Sequence, residues 1–412
     1  MDSVDDASRA RTVEDLDVPT VGAVVRGQPG EGLPWRLVDA AGADVDFAAL
    51  WLIDLHACDY SPATLRSYAY DLLSWLRFLA AVEVAWTQAS RWEVRDWVRW
   101  HQTRRNDQRT RRADAAGSER PSAASVNAKT GKPYLADSYA RSYVNHLLSS
   151  VSGFYEFALE ADLGPLVNPV PKSRRELSRV DAHRDLMTPG PTVRRAPYRQ
   201  KVVQKTPRAL TDGLFDELFS RLATTRDKAI VATAVGSGLR ASELLSMRRG
   251  GLHADTSTAD VVPKGGRGVP VLVPLPAPAF VWIARYLAER PPGPPGEPVW
   301  MTVQGPPRPL TYWALRQVLE RANRAIGTNV TMHDFRHTFC TRLAEDENMT
   351  MVDLQELMRH ASITTTQVYL RPQLDDLVEK LQQHWNRPPA PPPTPAAGYD
   401  SADLRVLFSG GF

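Results

Sequence analysis

The stretch His333-Asp-Phe-Arg336-His337-Thr-Phe sets three basic side chains at a spacing that a helix turns into one face. Residues three and four positions apart are neighbours on an α-helix, so His333, Arg336 and His337 lie side by side. Three adjacent basic groups repel one another unless an anion or a buried partner compensates them. The stretch therefore predicts a helix whose basic face binds an anion or contacts a buried partner.

Three further segments of the C-terminal half carry groups of the same chemical kind. They are Gly238-Leu-Arg240-Ala-Ser-Glu243-Leu-Leu, Pro263-Lys264-Gly-Gly-Arg-Gly-Val-Pro, and Leu357-Met-Arg-His360 followed by Thr364-Thr-Thr-Gln-Val-Tyr369. Cleavage of a phosphodiester needs fixed cations for the transition-state charge, a nucleophile and a proton for the leaving oxygen. Arginine and lysine supply the charge here, because this half shows no convincing carboxylate cluster for Mg²⁺.

The four segments, in this order and spacing, resemble the tyrosine recombinase (phage integrase) family over about residues 210 to 385. The segment at Arg240 resembles its first box and the segment at Arg336 its second. The segment ending at Tyr369 resembles the block that bears the nucleophile, and the Lys264 segment resembles the hairpin of the catalytic lysine. One His-x-x-Arg-His motif alone is weak, whereas four ordered blocks are specific.

The resemblance implies a role for each matching residue. Tyr369 attacks the phosphorus and forms a 3′-phosphotyrosine link, while Arg240 and Arg336 clamp the scissile phosphate. Lys264 donates a proton to the leaving 5′ oxygen, and His333 assists proton transfer at Tyr369. Rejoining then needs no metal, ATP or other cofactor.

Three other residues are implied in supporting roles. His360 hydrogen-bonds a non-bridging oxygen, Glu243 orients the arginines, and His337 makes a structural hydrogen bond rather than a catalytic contact. One position departs from the family, which usually has glycine where this chain has Arg359. That side chain adds a phosphate contact or changes how the preceding helix ends, and the geometry of His360 depends on it.

Each role has a plainer rival. A tyrosine on a helix is usually a packing group, so Tyr369 is a nucleophile only in the context of its block. Arg240 is able to form a helix-start ion pair with Glu243. Lys264 stands in a Gly-rich hairpin beside Arg267, where a lysine is commonly just solvated.

Helical periodicity and breakers divide the chain into five parts. Ser61-Pro62 is expected to start a helix, Thr311 and Gly327 to bound another, and a last helix to begin at about Pro372. Residues 1–46 read as an N-terminal arm or lead-in, and 47–169 as a helical DNA-binding domain that resembles the family's core-binding domain more loosely. Residues 170–207 are basic and Pro-rich, as expected of an interdomain linker. A mixed catalytic domain follows at 208–386, and 387–412 is a Pro-rich tail. The predicted fold class is mainly α, with a small antiparallel sheet.

Charge is distributed unevenly, although the net formal charge is only +3. Residues 172–208 hold eleven Lys or Arg against three Asp or Glu, and such basic segments suit a polyanion. We expect five side chains of the linker to contact the phosphates of a DNA backbone, namely Arg194, Arg195, Arg199, Lys201 and Lys205. A solvated, flexible tether is the alternative.

The chain has two cysteines without metal or disulfide spacing, as is usual in a reducing cytoplasm. It shows no secretory signal and no apolar run of about 20 residues, so we expect a cytoplasmic protein without a membrane partner. The resemblance implies double-stranded DNA as partner, a homotetramer on DNA, and room for accessory DNA-bending proteins. The expected function is site-specific recombination that integrates or excises a mobile element. The alternatives are a DNA-binding protein that has lost cleavage and a type IB topoisomerase-like enzyme.

Overall fold

The structure is a computed structural model of the 412-residue chain. It describes residues 11–28, 30, 32–104, 125–134, 138–172, 196–202, 208–263, 268–346 and 348–359. No helix within these ranges combines the length and apolar character needed to cross a membrane. The predicted helix from Pro372 and the Pro-rich tail lie outside the described residues.

Four long helices build the first domain, and each buries one face in a shared core. They are α1 (Asp46–Ala57), α2 (Pro62–Ala81), α3 (Arg91–Thr103) and α4 (Arg141–Glu160). Ser61 caps α2 with its side chain on the amide of Thr64, and a proline occupies the first turn, as predicted. The buried faces meet around an aromatic centre whose fully buried members are Trp51, Trp75, Phe78, Trp97, Phe154 and Tyr155.

Two short strands precede α1, in the segment that was expected to be an arm or lead-in. Strands β1 (Ala23–Arg26) and β2 (Trp35–Val38) pair antiparallel, with Val24 opposite Leu37. Both residues are buried in the same core as α2, and Arg77 of α2 donates to three carbonyls of residues 20–22. Strands β1 and β2, together with residues 20–22, are therefore packed on the first domain.

One described piece of the linker, residues 196–202, lies along α3 and α4. Gln200 and Asn145 exchange hydrogen bonds at 2.7 and 3.0 Å, and Gln102 of α3 donates to the Gln200 side chain. This piece is bound to the first domain rather than free in solvent.

The second domain places seven helices and one sheet around a separate core among its described residues. The helices are α5 (Asp212–Ser220), α6 (Thr225–Ser237), α7 (Ala241–Ser246), α8 (Ala277–Ala288), α9 (Tyr312–Ile326), α10 (Met332–Ala344) and α11 (Met351–Met358). Both α8 and α10 pack on α6, which is buried around most of its circumference. Helix α6 thus holds the elements that carry the candidate site.

The predicted hairpin is present as an antiparallel sheet of order β3-β4-β5, formed by Leu252–His253, Thr258–Val261 and Val271–Pro274. Ala259 faces Val273 and Val261 faces Val271 in the register. The mainly helical class with a small antiparallel sheet is confirmed.

Candidate active site

The turn between α6 and α7 sets the position of Arg240. Gly238 ends α6 in the left-handed region with φ 60°, which glycine adopts without steric cost. A Cβ at Gly238 would meet Cδ1 of Phe339 at 2.4 Å, so the missing side chain also lets α10 approach. Arg240 follows as the N-cap residue of α7. The glycine of the Gly-Leu-Arg motif is therefore needed for the turn after α6 and for the close contact with α10.

Arg336 lies at the junction of three chain segments. It projects from α10, is 2% exposed, and donates from Nη1 to the carbonyl of Gly238 at 2.6 Å. Its Nη2 donates to the carbonyl of Met358, at the end of α11. A buried guanidinium needs such acceptors, because an unpaired charge in the interior is costly. Arg336 thereby ties the segment of Arg240 to the segment that precedes His360.

Glu243 is the carboxylate that organises the exposed side of this junction. It is fully buried and accepts from Nη1 of Arg240 at 2.7 Å and from Nη2 of Arg359 at 2.9 Å. The Arg240 amide donates to it as well, at 2.9 Å. Burial alone would raise its pKa, but these hydrogen bonds and the charge of Arg359 leave the pKa below its usual value. Glu243 is thus an ionised bridge between two arginines.

Arg359, which stands where the family usually has glycine, affects both the end of the preceding helix and the arginine cluster. It ends α11 in the left-handed region, with φ 50° and ψ 48°, the conformation for which glycine is the usual choice. Its carbonyl accepts from Nη2 of Arg240 at 3.2 Å, and its side chain reaches Glu243. Arg359 both changes the helix end and joins the arginine cluster, immediately before His360.

The cluster has a surplus of positive charge. The guanidiniums of Arg240, Arg336 and Arg359 are tied together through one buried carboxylate and three backbone carbonyls. The Arg240 side chain keeps 29% of its surface exposed, so the surplus is open to solvent on that side. Planar guanidiniums in this arrangement are suited to a phosphate group.

The two histidines of α10 are held in contact, with ring centroids 4.3 Å apart. The protein atoms packed around His333, together with the charge of Arg336, lower its pKa below the usual value. Burial and the neighbouring His333 lower the pKa of His337 to about 4. Both rings are neutral at physiological pH, so His333 is able to accept a proton.

Three of the predicted catalytic residues, Lys264, His360 and Tyr369, lie outside the described residues. The chain leading to Lys264 is tied to the site, since the amide of Val262 donates to Oγ of Ser246 at the end of α7. The structure brings Arg240, Glu243 and Arg336 together, with His333 on the same helix as Arg336.

Two of the five linker residues that are predicted to contact DNA, Arg199 and Lys201, lie within the described residues. The guanidinium of Arg199 donates to the carbonyl of Asn145 and to Oγ of Ser149, both at 2.7 Å. The carbonyl of Lys201 accepts from Arg141 at 3.3 Å. Arg194, Arg195 and Lys205 lie outside the described residues. The contacts of these five residues with DNA stay predictions.

Sequence reasoning missed one residue near the site. Lys132, from the loop between α3 and α4, reaches Asp334 in the first turn of α10 at 2.6 Å. A single lysine in a basic loop carries no signal for a contact about 200 positions away. Within the described ranges, no group of three or more His, Cys, Asp or Glu side chains is arranged to hold a metal ion.

Two family descriptions match the chain. The phage integrase family matches residues 210–375, and the N-terminal SAM-like domain of phage integrases matches residues 48–116. Together they span more than half of the 412 residues.

Among similar proteins, the tyrosine recombinase XerA of Thermococcus kodakarensis is 32% identical over 183 residues, which is 43% of this chain and 62% of the relative. The tyrosine recombinase XerD of Lacticaseibacillus casei is 33% identical over 178 residues, or 41% of this chain and 60% of the relative. The matches thus cover less than two thirds of these relatives.

Solved structures share the fold at low sequence identity. The Tn1549 transposon integrase, in a complex with circular intermediate DNA, has a TM-score of 0.51 at 16% identity, over 82% of this chain and 99% of that chain. A lambda integrase dimer bound to a COC′ core site has a TM-score of 0.50 at 15% identity, over 80% and 78%. With both family descriptions in chain order and the arginine junction described above, the chain belongs to the phage integrase family, the tyrosine recombinases.

Proposed function

We propose that this chain is a site-specific DNA recombinase that cleaves and rejoins strands through a covalent 3′-phosphotyrosine at Tyr369. The observation that carries the proposal is the convergence of Arg240 and Arg336 on the end of α11. Arg336 donates to the carbonyl of Met358 and Arg240 to the carbonyl of Arg359, directly before the segment from His360 to Tyr369. An anion held there would lie within a short stretch of chain from the nucleophile.

The reaction divides among these groups without a co-reactant. Oη of Tyr369 attacks the phosphorus, the bond from phosphorus to the 5′ oxygen breaks, and the leaving oxygen takes a proton. Arg240 and Arg336 stabilise the charge that develops on the non-bridging oxygens. His333, neutral because its pKa is lowered, accepts the tyrosine proton. Lys264 supplies the proton to the leaving group, and attack by a 5′ hydroxyl later reverses the step.

The remaining assignments support this scheme. Glu243 holds Arg240 in place, His360 donates to a non-bridging oxygen, and His337 packs against His333. The scheme uses no metal and no ATP, because guanidiniums supply the positive charge and the covalent bond retains the energy of the broken one.

Double-stranded DNA is the proposed substrate, and the two domains at residues 47–169 and 208–386 are proposed to grip it from two sides. The linker at 170–207 then follows the backbone, with contacts from Arg194, Arg195, Arg199, Lys201 and Lys205. Exchange of strands between two sites involves four cleavages, which favours a tetramer on DNA. Integration or excision of a mobile element is the proposed biological setting.

Two rivals remain as outcomes of one experiment. Plasmids with two copies of a preferred site, selected from random duplex fragments by trapping of covalent adducts, are incubated with the wild-type chain. A recombinase exchanges the segments, and a topoisomerase-like enzyme only relaxes supercoils. A cleavage-deficient binder is recognised earlier, because it yields no covalent adduct in the selection.

Tyr369→Phe is expected to abolish exchange and adduct formation while DNA binding persists. Tyr312→Phe is the matched control, because Tyr312 is an exposed tyrosine at the start of α9, and it is expected to behave as wild type. Exchange by the Tyr369→Phe variant would disprove the proposal.

A further inference from the structure

A short hairpin of the first domain, residues 125–134, docks on the second domain. Val126 and Pro133 form its bridge, and Asn127 closes its turn by accepting from the amides of Lys129 and Thr130 at 3.0 Å. We call these ten residues the latch hairpin. They belong by sequence to the loop between α3 and α4, so their place on the other domain is a tertiary contact.

The contacts are concentrated on residues 327–331, which connect α9 to α10. Nδ2 of Asn127 donates to the carbonyl of Gly327 at 2.8 Å. Oγ1 of Thr130 donates to Oδ1 of Asn329 at 2.5 Å, and Nδ2 of Asn329 donates back to the carbonyl of Lys132 at 3.2 Å. A network in which both partners are satisfied fixes one geometry, since each lost partner would leave a desolvated polar group.

Asn127 is the buried centre of this network, with 3% of its surface exposed. Its amide group also donates to the hydroxyl of Tyr134 at 2.6 Å. Buried asparagines are uncommon unless fully hydrogen-bonded, and here one side chain closes the hairpin turn and binds the opposite domain. The hairpin is therefore shaped for this docking position.

Lys132 extends the contact to the helix of the candidate site. Its Nζ lies 2.6 Å from Oδ2 of Asp334, the same oxygen that accepts from the amide and hydroxyl of Thr331, both at 2.7 Å. Asp334 thus caps the first turn of α10 while it is paired with the first domain. His333 and Arg336 stand on either side of Asp334 in the same two turns.

We propose that the latch hairpin couples the first domain to the catalytic helix, with Lys132 as a positioning residue for strand cleavage. The inference rests on the proposed function for its reaction, and on the contacts above for its geometry. When the hairpin is docked, Lys132 holds the first turn of α10 and Asn127 holds Gly327 in the connection that leads into it, so Arg336 and His333 keep their place. When the hairpin leaves, the first turn of α10 loses a charged partner and the carbonyl of Gly327 loses a donor.

Lys129 of the same hairpin offers a matched control. It pairs with Glu217 of α5 at 2.7 Å, and both side chains are more than 40% exposed. Lys132→Ala and Lys129→Ala remove the same charge from the same ten residues, yet only Lys132 contacts α10. A role in general attraction to DNA would make the two variants equal, because nonspecific phosphate binding depends on charge rather than on one contact.

The test compares adduct formation by the full chain on a nicked duplex that traps the covalent intermediate, with DNA affinity measured in parallel. At saturating DNA we expect Lys132→Ala to lower the single-turnover rate about tenfold, which corresponds to about 1.4 kcal/mol in the barrier. Lys129→Ala is expected to stay near wild type, and Lys132→Arg to recover most of the rate. DNA affinity should change by the same small factor in both alanine variants.

Equal rates for Lys132→Ala and Lys129→Ala at saturating DNA would overturn the proposal. Hydrogen exchange of the free protein supplies a readout that does not need cleavage. Amides of residues 331–336 should exchange faster in Lys132→Ala and Asn127→Ala than in Lys129→Ala, because the first turn of α10 opens more often. Unchanged exchange would show that the hairpin does not hold the helix, whereas a wild-type chain without adduct would refute the proposed function separately.

Discussion

Glu243 decides how the two accessible arginines of the junction are presented. Its two carboxylate oxygens bind different guanidiniums, Oε1 that of Arg240 and Oε2 that of Arg359. A carboxylate that is buried and ionised fixes its partners more firmly than a solvated ion pair, because its hydrogen bonds compensate a large desolvation cost. The direction of the Arg240 fork thus depends on a residue that need not touch DNA.

Glu243→Gln tests this dependence. The substitution retains the shape but removes the charge, so Arg240 and Arg359 lose their common anchor. We expect adduct formation to fall about 10- to 100-fold, in the range found when one transition-state contact is misplaced, with DNA affinity nearly unchanged. Glu217→Gln on exposed α5 is the control, and a normal rate in Glu243→Gln would contradict the assigned role.

The ionisation of His333 determines how the cleavage rate is expected to depend on pH. Its pKa is lowered by surrounding protein atoms and by Arg336, so the ring stays neutral until the pH falls below its usual value of about 6.5. If the neutral ring accepts the Tyr369 proton, the rate at limiting DNA, which reports the free enzyme, holds from pH 8 to about 6.5 and declines only below. His333→Gln should be slower and should lack this acid limb. A rate already halved above pH 7 would argue against His333 as the acceptor.

Among helices and turns, two glycines end helices in the same left-handed conformation but in different surroundings. Gly238 has φ 60° and lies against Phe339, whereas Gly327 has φ 68° and open space where a Cβ would stand. The first therefore serves helix termination and packing of α10, and the second serves termination alone.

Replacement of each glycine by alanine separates these two demands. Gly327→Ala is expected to lower the free energy of unfolding by about 1 kcal/mol, the cost of the backbone conformation alone. Gly238→Ala adds a clash with Phe339 and is expected to cost roughly 2–4 kcal/mol. It should also reduce cleavage, because the carbonyl of Gly238 binds Arg336. Urea denaturation of both variants checks the difference, and equal losses would disprove the packing argument.

Elements with end signals were the most readily predicted from sequence, while α4 was predicted from its apolar periodicity without a side-chain cap. Thr311 and Gly327 bound α9 in the structure as in the prediction, since cap chemistry and periodicity agree there. Helix α1 escaped prediction because Val45, its N-cap residue, offers no side-chain hydrogen bond. Helix α8 starts after Pro276, also without a side-chain cap. The strands β1 and β2, of four residues each, were not predicted either.

Contacts across the chain set a different limit. Motif order predicted that Arg240 and Arg336 belong to one site, because the resemblance carries tertiary information that local patterns lack. The pairing of Arg359 with Glu243 and of Lys132 with Asp334 joins residues more than 100 positions apart. No periodicity or composition encodes such pairs, so only the folded chain reveals them.

At the scale of the whole molecule, the proposed scheme relies on guanidiniums for the positive charge that stabilises the transition state. Adduct formation is therefore expected to proceed in EDTA within about twofold of the rate in Mg²⁺, once ionic strength is matched to keep phosphate binding constant. The measurement is a single-turnover time course on the nicked duplex. Strict dependence on added Mg²⁺ would count against the scheme.

The central claim, that Tyr369 becomes covalently joined to DNA at the arginine junction, is open to direct identification of the modified residue. The trapped complex is digested with nuclease and protease, and the peptide that retains a nucleotide is sequenced by mass spectrometry. A nucleotide phosphate is expected on Tyr369 of the wild-type chain, and it is expected to be absent from Arg336→Ala and Tyr369→Phe. A nucleotide on any other side chain, or no adduct from a wild-type chain that binds DNA, would contradict it.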